Sequence, residues 1–168
     1  MASNTIRWSF RAQCLLGAAV CAALVGFALF SQFQWGLLPC PLCIFQRIAF
    51  VALGLVLLVA GLHAPRGRAG RAGYGVLALV AAGNGAAIAG RHVWLTHLPP
   101  DQVPSCGPPL AFMMETNAVT DVVRKVLTGS GECAAVDWTF LGLSMPAWAL
   151  AWFVFLGGFA AWAAFRRR

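Results

Sequence analysis

The sequence predicts an all-α membrane protein: a four-transmembrane-helix bundle with a long extracytoplasmic loop that carries a short amphipathic helix. Composition, the length of its apolar runs and the segregation of its charges all point there. Hydrophobic residues make up 60% of the 168, only 10% are charged, and mean hydropathy is +0.76. Soluble domains are roughly 45–50% apolar and about 25% charged, so a water-soluble enzyme and a disordered chain are both excluded. A helix needs roughly 20 apolar residues to cross a hydrocarbon core, and four stretches qualify.

The first span is expected over about 12–30, because no Asp, Glu, Lys or Arg stands between Arg11 and Arg47. Arg7 and Arg11 ahead of an apolar run look like the start of a secretory signal. The run lacks a convincing small-x-small cleavage site before Gln32, however, and three more spans follow, so this segment reads as an uncleaved helix. The second span is expected over 44–62, with Arg47 in its first turn, and the third over 74–95, uncharged until Arg91. The fourth, over 145–165, fills the gap between Asp137 and Arg166. Hydrocarbon offers backbone groups no partner, so each run must be helical, and residues 1–168 form a single four-helix membrane domain.

Orientation follows from the charges. Arg7 and Arg11 precede the first span, Arg66, Arg68 and Arg71 lie in the 63–73 loop, and Arg166, Arg167 and Arg168 end the chain, with no acid among them. All five acids (Asp101, Glu115, Asp121, Glu132 and Asp137) fall in the 96–144 loop, beside Arg124 and Lys125. The positive-inside rule then puts both termini in the cytoplasm and the 31–43 and 96–144 loops on the opposite side. The net charge of +7 is thus a topology signal in a lipid-embedded chain, and no nucleic-acid role is expected. Within 96–144, prolines and glycines come first. Ala118/Val119, Val122/Val123 and Val126/Leu127 then repeat every four residues. That spacing predicts a short amphipathic helix that lies on the outer membrane surface, caps the bundle or packs on its own loop.

Cys14 and Cys21 stand seven residues apart within the first span and read as small hydrophobes. The other four cysteines all fall on the non-cytoplasmic side, where an even number of thiols reads as disulfides. Cys106 and Cys133 lie 27 positions apart among polar, Pro- and Gly-rich neighbours, as a staple or as an exposed, exchangeable bridge. Cys40 and Cys43 form Cys-Pro-Leu-Cys at the mouth of the second helix, a ring too small to be a useful staple. Orphan backbone N–H groups there favour a thiolate. Arg47, one turn deeper, is badly placed for the helix dipole and costs at least about 2.5 kcal/mol in a span unless it snorkels or serves a purpose. Arg91 and His92, at the far end of an antiparallel third helix, share its depth. A thiol pair, two guanidinium groups and a histidine there suit a membrane-soluble carbonyl compound.

The runs Pro39-Cys40-Pro41-Leu42-Cys43-Ile44-Phe45-Gln46-Arg47, Arg91-His92-Val93-Trp94-Leu95 and Trp138-Thr139-Phe140-Leu141-Gly142-Leu143-Ser144-Met145-Pro146-Ala147-Trp148, with the Cys106/Cys133 pair, resemble the bacterial DsbB family. The resemblance spans nearly the whole chain. It implies a quinone-dependent thiol oxidase of the bacterial inner membrane that reoxidises a DsbA-like thioredoxin-fold oxidase in the periplasm. Ubiquinone is then the expected acceptor, with menaquinone the anaerobic alternative. By this resemblance Cys106 takes the partner's attack on the Cys106–Cys133 bridge and Cys133 exchanges with Cys40. Cys43 is released as a thiolate against the quinone, which Arg47 and His92 support. Gln46 departs from the Glu that some members carry before the Arg. A non-catalytic tetraspan scaffold with structural disulfides is the alternative. Zinc is not expected, because structural zinc sites prefer two close pairs of ligands and only Cys40/Cys43 is close in sequence.

Overall fold

The computed structural model describes residues 9–99, 101–105, 110–136 and 138–166. Its elements run α1 (Phe10–Trp35), α2 (Pro41–His63), α3 (Arg68–Thr96), α4 (Leu110–Thr116), α5 (Val119–Thr128), a 3-10 turn (Gly131–Cys133), β1 (Thr139–Phe140), β2 (Leu143–Ser144) and α6 (Met145–Phe165). α1, α2, α3 and α6 are each long and apolar enough to cross a membrane, so the expected four-helix membrane bundle is the fold.

α1, α2 and α3 are longer than the apolar runs alone suggested, because backbone hydrogen bonding continues past the hydrophobic stretch until a cap or turn ends it. Ser9 caps α1 by accepting the Ala12 N–H, and Gly36 ends it in the left-handed conformation at φ 66°. The connection to α2 therefore shrinks to Gly36–Cys40. α2 starts at Pro41, whose missing N–H is no loss in a first turn. α3 starts at Arg68, six residues before the expected 74, and the expected 63–73 loop contracts to Ala64–Gly67. Arg71 holds that corner by donating to the Pro65 carbonyl (3.0 Å) while its guanidinium lies over the Phe10 ring.

α1 packs along α2, α2 along α3 and α3 along α6, whereas α1 and α6 touch only briefly. That leaves a cleft between α1, α2 and α6. Lipid tails are as apolar as leucine, so helix association depends on close packing, and small residues line the contacts. Gly85 of α3 sits against Phe153 of α6, whose ring stacks on Phe50 of α2 with centroids 3.8 Å apart. A Cβ at Gly85 would collide with that buried ring. Gly85→Ala is expected to destabilise the bundle by about 1–3 kcal/mol, the usual range for overpacking, seen as a lowered Tm in detergent. An unchanged Tm would mean that Phe153 repacks freely. Cys21 is buried and its Cβ meets Gly54 of α2, the packing role expected of it.

The segment between α3 and α6 folds over one end of the bundle. Val122 and Val126 of α5 are buried against Leu42 of α2, Leu95 of α3, Met113 and Cys133. Of the three placements open to the amphipathic helix, capping the bundle is the one adopted. α4 and a two-stranded hairpin were not expected; the hairpin turns at Leu141 and Gly142, both at positive φ. Its backbone is tied down by the Trp148 indole N–H, which donates to the Phe140 carbonyl (3.0 Å).

Candidate functional site

The capped end of α2 gathers most of the residues singled out in the sequence. Cys40 is the N-cap residue, and its sulfur accepts the Cys43 amide N–H at 3.4 Å. Cys43 lies in the first turn, and the two Sγ atoms stand 3.3 Å apart as free thiols. Both sulfurs therefore sit at the positive end of the α2 dipole, beside the orphan amides of the first turn.

α3 brings His92 to the same place. Its ring is buried, with Nε2 3.7 Å from Cys40 Sγ and Nδ1 2.9 Å from the Gln46 side-chain amide. With that amide nitrogen donating to Nδ1, Nε2 carries the ring proton and directs it at Cys40. Arg91, expected to share the site, does not. Its guanidinium donates to the Leu127 and Thr128 carbonyls at the C-terminus of α5 and lies 4.2 Å from the centroid of the Trp94 ring. The helical step of 100° between neighbours separates them: His92 faces α2, so Arg91 must face the cap.

Arg47 sits one turn below Cys43 and reaches across to α1, donating to Gln32 Oε1 and to the Ala28 carbonyl (3.1 Å). Both acceptors are neutral, so no carboxylate among the described residues cancels its charge at these contacts. The side chain reaches sideways across to α1, at the edge of the cleft.

Two cavities meet at the thiol pair. One, of about 590 Å³, is the cleft between α1, α2 and α6, and it is lined by Cys43, Arg47, Phe50, Trp138, Phe140 and Trp148 among others. The other, of about 650 Å³, opens at the capped end and takes in Cys40, Cys43, Arg47, His92 and Glu132. Cys43 and Arg47 line both cavities, whereas Cys40 and His92 line only the second. The two sulfurs of one motif thus face different surroundings.

Cys133 lies beside Cys40, inside the apolar cluster beneath α5, and is 1% exposed. This corrects the expectation that both ends of the Cys106/Cys133 pair sit among polar neighbours. Cys106 lies outside the described residues. Hydrogen bonding to Cys40 and then burial push the Cys133 thiol well above the usual cysteine range, so it remains protonated at neutral pH. In the reduced protein Cys133 is expected to alkylate far more slowly than an exposed cysteine at pH 7 and to speed up with rising pH. Pulse alkylation with mass spectrometry measures this, and labelling at the exposed-thiol rate would contradict the buried placement.

A CxxC dithiol at a helix mouth with a third cysteine against it forms an arrangement suited to thiol–disulfide exchange. The family model described as disulfide bond formation protein DsbB matches residues 10–163. The chain belongs to the DsbB family. It is 55% identical over 165 residues to disulfide bond formation protein B of Xanthomonas campestris pv. campestris (strain 8004), covering 98% of this chain and 96% of the relative. The protein of the same name from Xylella fastidiosa (strain 9a5c) is 51% identical over 153 residues, 91% of this chain and 88% of the relative. As a DsbB protein with four spanning helices, the chain is a multi-pass membrane protein of disulfide bond formation.

Several groups of this DsbB site escaped the sequence reading. Gln46 was legible as a departure from the family pattern but not as the partner of His92, a contact made across 46 positions. Gln32 was a polar residue at the end of an apolar run, and its level with Arg47 was the available signal. Trp138, Phe140 and Trp148 were quoted as family residues, yet only the hairpin turns them onto the cleft, where Trp138 stacks on Phe140.

Proposed function

We propose that this chain is a thiol:quinone oxidoreductase of the bacterial inner membrane. It reoxidises a periplasmic, DsbA-like thioredoxin-fold oxidase and passes the electrons to membrane quinone, sustaining disulfide formation. Both termini then lie in the cytoplasm and the capped end of the bundle in the periplasm. The observation that carries this reading is that Cys43 and Arg47 line an apolar, aromatic cleft while Cys40, 3.3 Å from Cys43, faces the capped end. A ring compound dissolved in the bilayer fits the cleft: indole and phenyl faces for the ring, a guanidinium for a carbonyl oxygen, and a sulfur beside both.

In the cycle we propose, a thiolate of the reduced partner attacks the Cys106–Cys133 bridge at Cys106, forming a mixed disulfide and releasing Cys133. The partner's second thiol then closes its own disulfide and frees Cys106. Cys133, already against Cys40, attacks the Cys40–Cys43 bridge there and expels Cys43 as a thiolate. Cys106 finally displaces Cys40 from Cys133, which restores the outer bridge and leaves Cys40 and Cys43 reduced. Burial of Cys133 keeps water and stray thiols from this exchange. The α2 amides and Arg47 hold the negative charge on Cys43, and His92 holds a proton at Nε2 toward Cys40. A bound quinone, ubiquinone or in its place menaquinone, supplies the acceptor for two electrons and two protons, and the Cys40–Cys43 bridge re-forms.

The test is anaerobic mixing of the purified protein with a reduced thioredoxin-fold partner and a soluble quinone. Quinone absorbance should fall only when all three are present, and acid trapping should capture a partner–Cys106 mixed disulfide. A protein whose four outer cysteines stay oxidised throughout would be the non-catalytic scaffold instead.

A further inference from the structure

Cysteine spacing alone argued against zinc, because only one close pair is visible in the chain. The fold supplies the missing ligand from α3. Cys40 Sγ, Cys43 Sγ and one ring nitrogen of His92 all lie within 4.8 Å of one another. We propose that the reduced dithiol and His92 form a binding site for a thiophilic divalent cation, zinc above all, which locks the dithiol in its reduced state.

The geometry is close to what zinc requires. Zn–S bonds of about 2.3 Å and a Zn–N bond of about 2.0–2.1 Å at tetrahedral angles set the sulfurs about 3.8 Å apart and sulfur about 3.6 Å from nitrogen. The structure has 3.3 Å between the sulfurs and 3.7 Å from Cys40 Sγ to His92 Nε2. The remaining edge, from Cys43 Sγ to the ring nitrogen, lies within 4.8 Å, so a side-chain adjustment of up to about 1 Å completes the set. Nε2 is the ring nitrogen that faces the thiols, so it is the ligand atom.

A zinc-bound imidazole is neutral and donates its other N–H to a fixed acceptor. Gln46 stands 2.9 Å from Nδ1, and an amide turned over offers its oxygen there as readily as its nitrogen. The charges also balance. Two thiolates, a neutral histidine and one divalent cation sum to zero, the cheapest combination in a half-buried site. The cavity at the capped end reaches both sulfurs and the ring, so the ion has a route in and the fourth coordination position stays open toward it. Binding replaces two S–H protons by one cation and involves no electron transfer. The oxidised bridge has no thiolates to offer, so the site exists only in the reduced protein. While the ion is held, neither sulfur is free to re-form the bridge.

This inference rests on the thiol cluster and not on the quinone reading. The full-length protein in detergent, reduced and freed of reductant anaerobically, is titrated with Co²⁺ and then with Zn²⁺. One Co²⁺ per chain with the visible bands of a tetrahedral thiolate complex is expected, displaced by zinc with release of protons. The oxidised protein should show neither. His92→Ala should weaken zinc binding at least tenfold, and His92→Cys, which restores a ligand, should recover most of it. Circular dichroism and gel filtration check the fold of each variant, and His92→Cys alone decides if His92→Ala fails to fold: its tetrahedral bands must shift with the added sulfur. Equal affinity in wild type and His92→Ala would reduce the site to a bare dithiol chelate. Equal binding by the oxidised protein would place the ion elsewhere. Either result overturns the proposal, whereas failure of quinone reduction alone leaves it standing.

Discussion

Cys40→Ser and Cys43→Ser are each expected to bring quinone reduction down to background, while the bundle keeps its helix content and Tm. The two positions lie at the mouth of α2, clear of the Phe50–Phe153 stack and the small-residue contacts that hold the four helices together. Serine at position 40 remains a good N-cap, since its hydroxyl accepts a first-turn amide as the sulfur does. The loss is therefore chemical and not structural. The variants should also differ from each other. Cys43→Ser leaves Cys40 as a lone thiol beside Cys133; its attack on Cys133 in the oxidised outer bridge expels Cys106, so a Cys40–Cys133 bridge with Cys106 as a free thiol should be seen by peptide mapping after alkylation. Cys40→Ser leaves Cys133 with no exchange partner and should accumulate none. Turnover retained in either variant would remove the dithiol from the proposed reaction.

Arg47→Ala is expected to cut quinone use by about 10–100-fold, with mixed-disulfide formation by the partner unchanged. The variant deletes the cation beside Cys43 and its donations to Gln32 and the Ala28 carbonyl. Hydrogen bonds from charged groups contribute about 1.5–3 kcal/mol, and each 1.4 kcal/mol is tenfold. Arg47→Lys keeps the charge but loses the planar fork that spans two acceptors, so a milder defect is expected. Steady-state quinone kinetics with separate partner-trapping assays read both steps. Equal activity of Arg47→Ala and wild type would assign the guanidinium to helix anchoring across α1 and α2.

Much of this architecture was legible because membranes impose a one-dimensional rule. An apolar run long enough to cross must be a helix, and charge asymmetry orders the loops. The span at 145–165 matches α6 (Met145–Phe165), while α1, α2 and α3 outgrow their expected limits. Helix ends depend on capping and on local φ, as at Gly36 and Ala64, which hydropathy does not register. The amphipathic repeat located α5, but its destination depended on an apolar floor of Leu42 and Leu95 that belongs to two other helices. The hairpin was missed because strands of two residues carry no periodic signal.

The candidate site divides the same way. Cys40, Cys43 and Arg47 were readable together because helical geometry relates neighbours three to seven positions apart. The antiparallel order of the spans already set His92 at their depth, but its contact with Cys40, and the placing of Cys133 there, came only from the packing of α3 and the fold of the cap. The same packing turned Arg91 away, although it adjoins His92 in the chain.

By itself the chain determined that four helices cross a bilayer, which loops share a side and that a dithiol opens the second helix, since these follow from local solvation and from the pitch of a helix. Only the tertiary structure decided that one sulfur faces an aromatic cleft and the other a histidine, because which way neighbouring sulfurs point depends on helices far away in the chain.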